Sequence, residues 1–204
     1  MTHLDRYIPW AAALLALLSA AFLVDFHAPD RVLLLNLGAP QGPREGGGVV
    51  HTLAWVFTTL GSPPFVVPIS AALVTILIAR KELSRAWFAF LVLAGGAALA
   101  YIAKAAFATA KPHHLPGSDA MAATSFPSGH AVLSLLLALT ILVLWEFRDP
   151  RLRRLVLAIV LAIVFAVGAS RVFLGTHWPS DVLAGWLFAA LWTRAAYRLV
   201  FGKA

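Results

Sequence analysis

Long apolar stretches, separated by short polar or Gly- and Pro-rich connections, make up most of this 204-residue chain. Each stretch is close to the roughly 20 residues that a helix needs to cross a bilayer. The pattern predicts six transmembrane helices, at residues 8–24, 64–79, 86–106, 129–147, 155–170 and 182–200. The fold class we expect is therefore all-α, a polytopic membrane helical bundle with six transmembrane helices.

Three further segments qualify this layout. The stretch 49–60, ahead of the shortest span, is predicted to lie at the membrane interface or to form a partial helix, and residues 31–37 to form a short interfacial helix. The first span could also be a cleaved signal peptide. Because Asp5 offsets Arg6 at its amino end, we favour a retained span.

The composition supports a membrane protein, since 61% of the residues are hydrophobic and only 12% are charged. Soluble domains are nearer half apolar and a quarter charged. The length predicts a single domain over residues 1–204. The absence of cysteine excludes a thiolate nucleophile. The net charge is +7, but the sequence has no basic runs interleaved with aromatics, which would favour nucleic-acid binding.

Lysine and arginine are distributed unevenly among the connections. Eleven lie on the side that holds the connections 80–85 and 148–154, and five lie on the other side. By the positive-inside rule, the side with eleven is cytoplasmic. The connections after the first, third and fifth spans are then predicted to face outward.

Chemistry-bearing residues gather on this outward side in three clusters: Lys104 with Lys111-Pro112, Pro127-Ser128-Gly129-His130, and Ser170-Arg171 with His177 and Asp181. Lys104 and Lys111 are seven residues apart, so they would share one helix face if the third helix continued to Pro112. Buried cations persist best beside an anion. The alternative is that both lysines extend to the interface to reach water.

The second cluster opens the fourth span. Ser128 is a typical N-cap residue, and the free N–H groups of a helix N-terminus bind anions. Gly129 would let a phosphate approach the backbone, with His130 within one turn of it. A structural helix cap with an incidental histidine is the alternative.

The third cluster is the most specific of the three. Arg171 ends the fifth helix, and its planar guanidinium suits bidentate contact with phosphate. Asp181, four residues after His177, can accept the imidazole N–H and raise the basicity of the other ring nitrogen. A histidine held in this way is a good nucleophile toward phosphorus. A structural His–Asp pair at a helix start is the less favoured alternative.

Together these clusters resemble the signature of the type 2 phosphatidic acid phosphatase family, which runs Lys-x6-Arg-Pro, Pro-Ser-Gly-His and Ser-Arg-x5-His-x3-Asp. The second and third parts match completely, whereas Lys111 replaces the arginine of the first part. The resemblance covers residues 104–181 and extends to the six-span layout. Lysine keeps the positive charge that can bind phosphate but loses the planar, two-pronged contact of arginine.

The resemblance implies a role for each residue. His177 would attack phosphorus and form a phosphohistidine, Asp181 would orient His177, and His130 would protonate the leaving oxygen. The groups that would hold the phosphate oxygens are Lys104, Lys111, Ser128, Gly129 and Arg171. No metal or other cofactor is expected.

The function that follows is an integral membrane lipid phosphatase at the periplasmic face of a bacterial inner membrane. Its expected partners are the bilayer and a lipid phosphate or diphosphate, with undecaprenyl diphosphate favoured by the resemblance. Phosphatidylglycerophosphate, phosphatidic acid and lipid A 1-phosphate are alternative substrates. A lipid phosphotransferase is the nearest rival function, and a non-catalytic lipid binder or transporter is the more distant one.

Overall fold

The computed structural model describes residues 27–36, 48–112 and 124–202, and these are helical apart from turns and an isolated bridge between Ala110 and Thr124. The helices are α1 (Ala28–Asn36), α2 (Val49–Leu60), α3 (Pro63–Ala79), α4 (Leu83–Phe90), α5 (Gly96–Phe107), α6 (Gly129–Leu144), α7 (Pro150–Phe173) and α8 (Pro179–Phe201), and a π-helical turn at Leu91–Gly95 joins α4 to α5.

The chain divides into two compact units, with α1 in the first and α2 to α8 in the second. The residue range of α1, Ala28–Asn36, overlaps that of the short interfacial helix predicted from the sequence at 31–37. It begins beside a buried pair in which His27 Nδ1 lies 3.2 Å from Asp30 Oδ2. The single-domain organisation over residues 1–204 stays a prediction.

In the second unit, α2 and α3 form an almost continuous helical segment, Val49–Ala79, of 31 residues. The expectation that 49–60 forms only a partial helix is therefore wrong, because these residues form a complete 12-residue helix. Its alternative, that the segment lies at the membrane interface, stays a prediction. Gly61 and Ser62 separate it from α3, which starts at Pro63 as the fixed φ of proline favours. A Cβ at Gly61 would lie 2.5 Å from Val167 Cγ1, so glycine permits the close contact between this segment and α7.

Three helical segments within the described residues are long and apolar enough to cross a membrane: Val49–Ala79, Leu83–Phe107 and Pro150–Phe173. The predicted fourth span is a shorter apolar helix that ends at Leu144 rather than at 147, and the predicted sixth span coincides with α8. The predicted first span, 8–24, lies outside the described residues. The all-helical fold is confirmed for the described part of the chain, and the count of six spans stays a prediction.

The central helix of the second unit is α6. It packs against α3, α5, α7 and α8, and nine of its 16 residues are buried, with Val132 and Leu136 fully enclosed. A helix that is apolar on all sides is stable only when other helices surround it. Its enclosure fixes the N-terminus of α6, and therefore Ser128 and His130, relative to α7 and α8.

α5 and α8 cross at Gly96, where a Cβ would lie 2.7 Å from Leu136 and 2.8 Å from Trp192. The neighbouring π-helical turn presents the Leu91 carbonyl, which accepts a hydrogen bond of 3.0 Å from Trp192 Nε1. Small residues and such interhelical bonds are what hold helices together where no water drives association. This crossing fixes the height of α5, and with it the level of Lys104.

Candidate active site

The connection after α5 folds back on itself above the helix ends. α5 ends at Phe107, and Ala108 adopts a left-handed conformation with φ of 44°. Ser125 N then donates to Thr109 O at 2.6 Å, and Phe126 N donates to Thr109 Oγ1 at 3.0 Å. The condition that the helix continues to Pro112 is therefore not met, and Lys111 lies in the connection rather than on the helix face of Lys104.

Lys104 is tied to the far side of the same connection. Its Nζ donates to Thr124 O at 2.8 Å and to Ser125 O at 3.3 Å. Two backbone carbonyls thus orient the ammonium group, and its third N–H can still donate to another acceptor. The alternative in which Lys104 simply extends to the interface does not describe this contact.

Ser128 occupies the N-cap position of α6, as the sequence predicts, but its side chain makes no capping hydrogen bond. Its backbone N–H donates to Asp181 O at 3.1 Å, which ties the start of α6 to the start of α8. Among the described residues, its buried Oγ has no hydrogen-bond partner. Beside it, the Gly129 α-carbon faces open space, because a Cβ there would meet nothing within 4 Å.

The last turn of α7 places Arg171 and then turns the chain back toward it. Gly175 adopts φ of 67°, and the Arg171 carbonyl accepts bonds from Thr176 N at 3.1 Å and His177 N at 3.2 Å. The side chain of Arg171 is buried, and its Nη1 donates to Thr58 Oγ1 at 2.6 Å. Its Nε is buried without a partner in the described part of the chain.

Asp181, which is 0% exposed, organises the start of α8. Its Oδ2 accepts hydrogen bonds from Trp178 N at 2.9 Å and from Ser125 Oγ, and it lies 3.4 Å from His177 Nδ1. With Nδ1 turned toward the carboxylate, Nε2 is the ring nitrogen left for chemistry.

The three clusters converge. Arg171, His177, Lys104 and Lys111 all lie within electrostatic range of the His130 ring. Burial lowers the pKa of His177 to about 4, although Asp181 opposes this shift. Burial, and then the charge of Arg171, also lower the pKa of Lys111. Among the described residues, three cations (Lys104, Lys111 and Arg171) and two imidazoles thus lie near a single carboxylate, that of Asp181. This excess of positive charge favours an anionic ligand.

Two residues that contact the candidate site were not predicted from the sequence. Ser125 lies two positions before Pro127, so a hydroxyl at the edge of the second cluster was a signal that could have been used. No sequence signal marked Thr58, because it is separated from Arg171 by 113 residues. Only the packing of α2 against α7 brings it to the site.

These features define a helical membrane protein in which histidine, lysine and arginine side chains gather where α5 and α7 end and α6 and α8 begin. The chain belongs to the PAP2 superfamily, whose family profile matches residues 85–204, more than half of the chain. The resemblance that the sequence indicates is confirmed.

Curated relatives agree with this assignment. The chain is 41% identical over 66 residues to an undecaprenyl-diphosphatase from Sulfolobus acidocaldarius. It is 39% identical over 80 residues to phosphatidylglycerophosphatase B from Escherichia coli K12. The alignments cover 32% and 37% of this chain, and only 29% and 30% of those relatives' lengths.

The fold also matches a crystal structure of a transmembrane PAP2-type phosphatidylglycerolphosphate phosphatase from Bacillus subtilis. The TM-score is 0.69, and the match covers 95% of this chain and 96% of that one. The sequences are 22% identical, so this likeness establishes the shared fold.

Proposed function

We propose that this protein is an integral membrane phosphatase that hydrolyses the phosphate or diphosphate group of a lipid. The observation that carries the proposal is a set of unsatisfied buried donors close to the start of α6. Ser128 Oγ and Arg171 Nε are buried without partners among the described residues. Gly129, next to Ser128, is unobstructed, and Arg171 lies within electrostatic range of the His130 ring. Buried donors of this kind are costly unless an acceptor arrives, and a phosphate supplies several.

In the first step, His177 Nε2 would attack phosphorus. A nitrogen–phosphorus bond forms as the bond to the leaving lipid oxygen breaks, and His130, which becomes protonated when the phosphate anion binds beside it, transfers its proton to that oxygen. Asp181 accepts a hydrogen bond from Nδ1–H of His177 and stabilises the positive charge that develops on the ring. Lys104, Lys111 and Arg171 stabilise the charge on the equatorial oxygens.

In the second step, water would displace His177 from phosphorus. His130, now neutral, accepts a proton from the attacking water, the nitrogen–phosphorus bond breaks, and inorganic phosphate leaves. The low pKa of His177 supports its role as nucleophile in the first step, because the ring is neutral in the free enzyme at ordinary pH.

The location we propose is a bacterial inner membrane, with the site facing the periplasm. The basic residues of the opposite side, Arg80, Lys81 and Arg85 among them, support this orientation by the positive-inside rule. The site lies where α5 and α7 end and α6 and α8 begin, so a headgroup can reach it while the tails stay among lipid.

Undecaprenyl diphosphate is the substrate we favour, supported by the name of the Sulfolobus relative. Phosphatidylglycerophosphate is the second candidate, supported by the name of the Escherichia coli relative. Phosphatidic acid and lipid A 1-phosphate share the same reacting group and belong in the same test.

The test is phosphate release by the purified protein in detergent from these four lipids, with and without excess chelator. We expect hydrolysis of at least one lipid at an undiminished rate in chelator, because protein cations stabilise the phosphate. Phosphorus transferred from labelled substrate to a second lipid, without free phosphate, would indicate a phosphotransferase. Binding without turnover of any lipid would contradict the proposal and favour a lipid binder.

A further inference from the structure

One residue that contacts the site lies outside the matched family region. Thr58 belongs to α2, whereas the family profile begins at residue 85. Its side chain is buried, and Oγ1 accepts the 2.6 Å hydrogen bond from Arg171 Nη1. A hydrogen bond from a charged donor of this length is among the stronger ones in proteins.

The identity of the donating atom decides what the contact does. Nη1 lies on the same side of the guanidinium as Cδ, so the opposite edge carries Nε and Nη2. That edge presents two parallel N–H groups, which is the geometry for bidentate contact with phosphate oxygens. With Thr58 on Nη1, the two-pronged edge is kept for the ligand, and Nε has no other partner among the described residues.

The neighbouring residue provides an internal contrast. Thr59 is exposed, and its Oγ1 donates to the carbonyl of Trp55 within the same helix. The side of α2 that carries Ala54 and Thr58 is buried, and α2 packs against α7. The two adjacent threonines thus have the same chemistry, but only Thr58 touches Arg171.

We infer that Thr58 is a positioning residue that holds the Arg171 guanidinium so that its Nε–Nη2 edge meets two phosphate oxygens. The role rests on the proposed function for its catalytic consequence, but not for its effect on anion binding. It makes α2 part of the phosphate site.

The test compares Thr58→Val, which keeps the shape and removes the acceptor, with Thr58→Ser and the control Thr59→Val. Orthovanadate, a tetrahedral analogue of phosphate, serves as the probe, in a direct binding measurement and as a competitive inhibitor. Thr58→Val is expected to weaken vanadate binding and to lower kcat/KM about 10- to 100-fold, while Thr58→Ser recovers most of both. Thr59→Val is expected to match the wild type.

An Arg171→Lys background separates positioning from simple packing. If Thr58 acts through the guanidinium, Thr58→Val has little further effect on vanadate affinity there. An undiminished effect in that background, or unchanged vanadate affinity in Thr58→Val alone, would overturn the inference. Should Thr58→Val not fold, Thr58→Ala and Thr58→Ser allow the same cycle. Vanadate binding by a wild type that hydrolyses no lipid phosphate would refute the proposed function and still test the role of Thr58.

Discussion

The polar groups at the two ends of α6 differ in their hydrogen bonding. At the C-terminus, the Leu144 carbonyl accepts a hydrogen bond from Arg85, whose other nitrogen pairs with Glu82 at 2.8 Å. At the N-terminus, Ser128 leaves its hydroxyl without a partner in the described residues, and Gly129 faces open space. One helix therefore has a completed end and an incomplete one.

The two ends differ in how completely their polar groups are hydrogen-bonded. A helix leaves its first N–H groups and last carbonyls without internal partners, and folding normally satisfies them. At the C-terminus, the Leu144 carbonyl is satisfied by the long side chain of Arg85, which belongs to α4. At Ser128, by contrast, the N-cap side chain makes no capping hydrogen bond, and Lys104 and Arg171 lie within electrostatic range of the nearby His130 ring. The incomplete end is the one at which we propose that the phosphate binds.

The largest expected effect comes from removing the proposed nucleophile at the incomplete end. His177→Ala should lower kcat by about four orders of magnitude or more, because it removes the nitrogen that we propose forms the bond to phosphorus. Phosphate release from the preferred lipid, with thermal unfolding as the control for folding, measures this. Turnover near the wild-type rate would remove His177 from the mechanism.

Substitutions at two glycines should separate an effect on activity from an effect on packing. Gly129→Ala should lower kcat/KM about 10- to 100-fold, since the new methyl group would enter the space proposed for phosphate. Its stability should hold or rise, because alanine favours a helix over glycine by about 1 kcal/mol.

Gly96→Ala should do the reverse. Its Cβ would meet Leu136 and Trp192 at less than 3 Å, at 2.7 and 2.8 Å. We expect a loss of about 1–3 kcal/mol in unfolding free energy with most activity kept in the folded fraction. Equal effects of the two alanines on both readouts would contradict a functional difference between the two positions.

Arg85→Met tests the completed end. Losing the donor to Leu144 O should cost about 1–3 kcal/mol of stability, with kcat/KM changed less than about twofold. The control is Arg80→Met, because Arg80 is exposed on the same side. A drop in kcat/KM without a drop in melting temperature would mean that Arg85 takes part in activity.

The smallest effect expected is a shift in titration rather than a loss. Since burial lowers the pKa of His177 to about 4, its ring should stay neutral as the pH falls from 7 to 5. Nitrogen-15 NMR of labelled imidazoles in the free protein follows this, with His177→Gln assigning the signal. Asp181→Asn should lower the pKa further, because the carboxylate favours the protonated ring. Titration near 6.5 would contradict the buried setting.

Much of this protein could be predicted from the sequence alone. The apolar periods predict the helices, because a bilayer leaves few other ways to satisfy the backbone. The order and spacing of Lys104, His130, Arg171, His177 and Asp181 predict the family and the candidate site, since local spacing sets which groups share one helix end. The positions of Pro63 and Pro179 also mark where α3 and α8 start.

Other features depended on tertiary packing. The break after Phe107 that moves Lys111 off the helix is stabilised by bonds to the distant segment around Ser125, so no local pattern shows it. The contacts of Thr58 with Arg171 and of Arg85 with Leu144 join residues 113 and 59 positions apart. Sequence spacing constrains neighbours along one helix, but contacts between helices depend on how the whole bundle closes around α6.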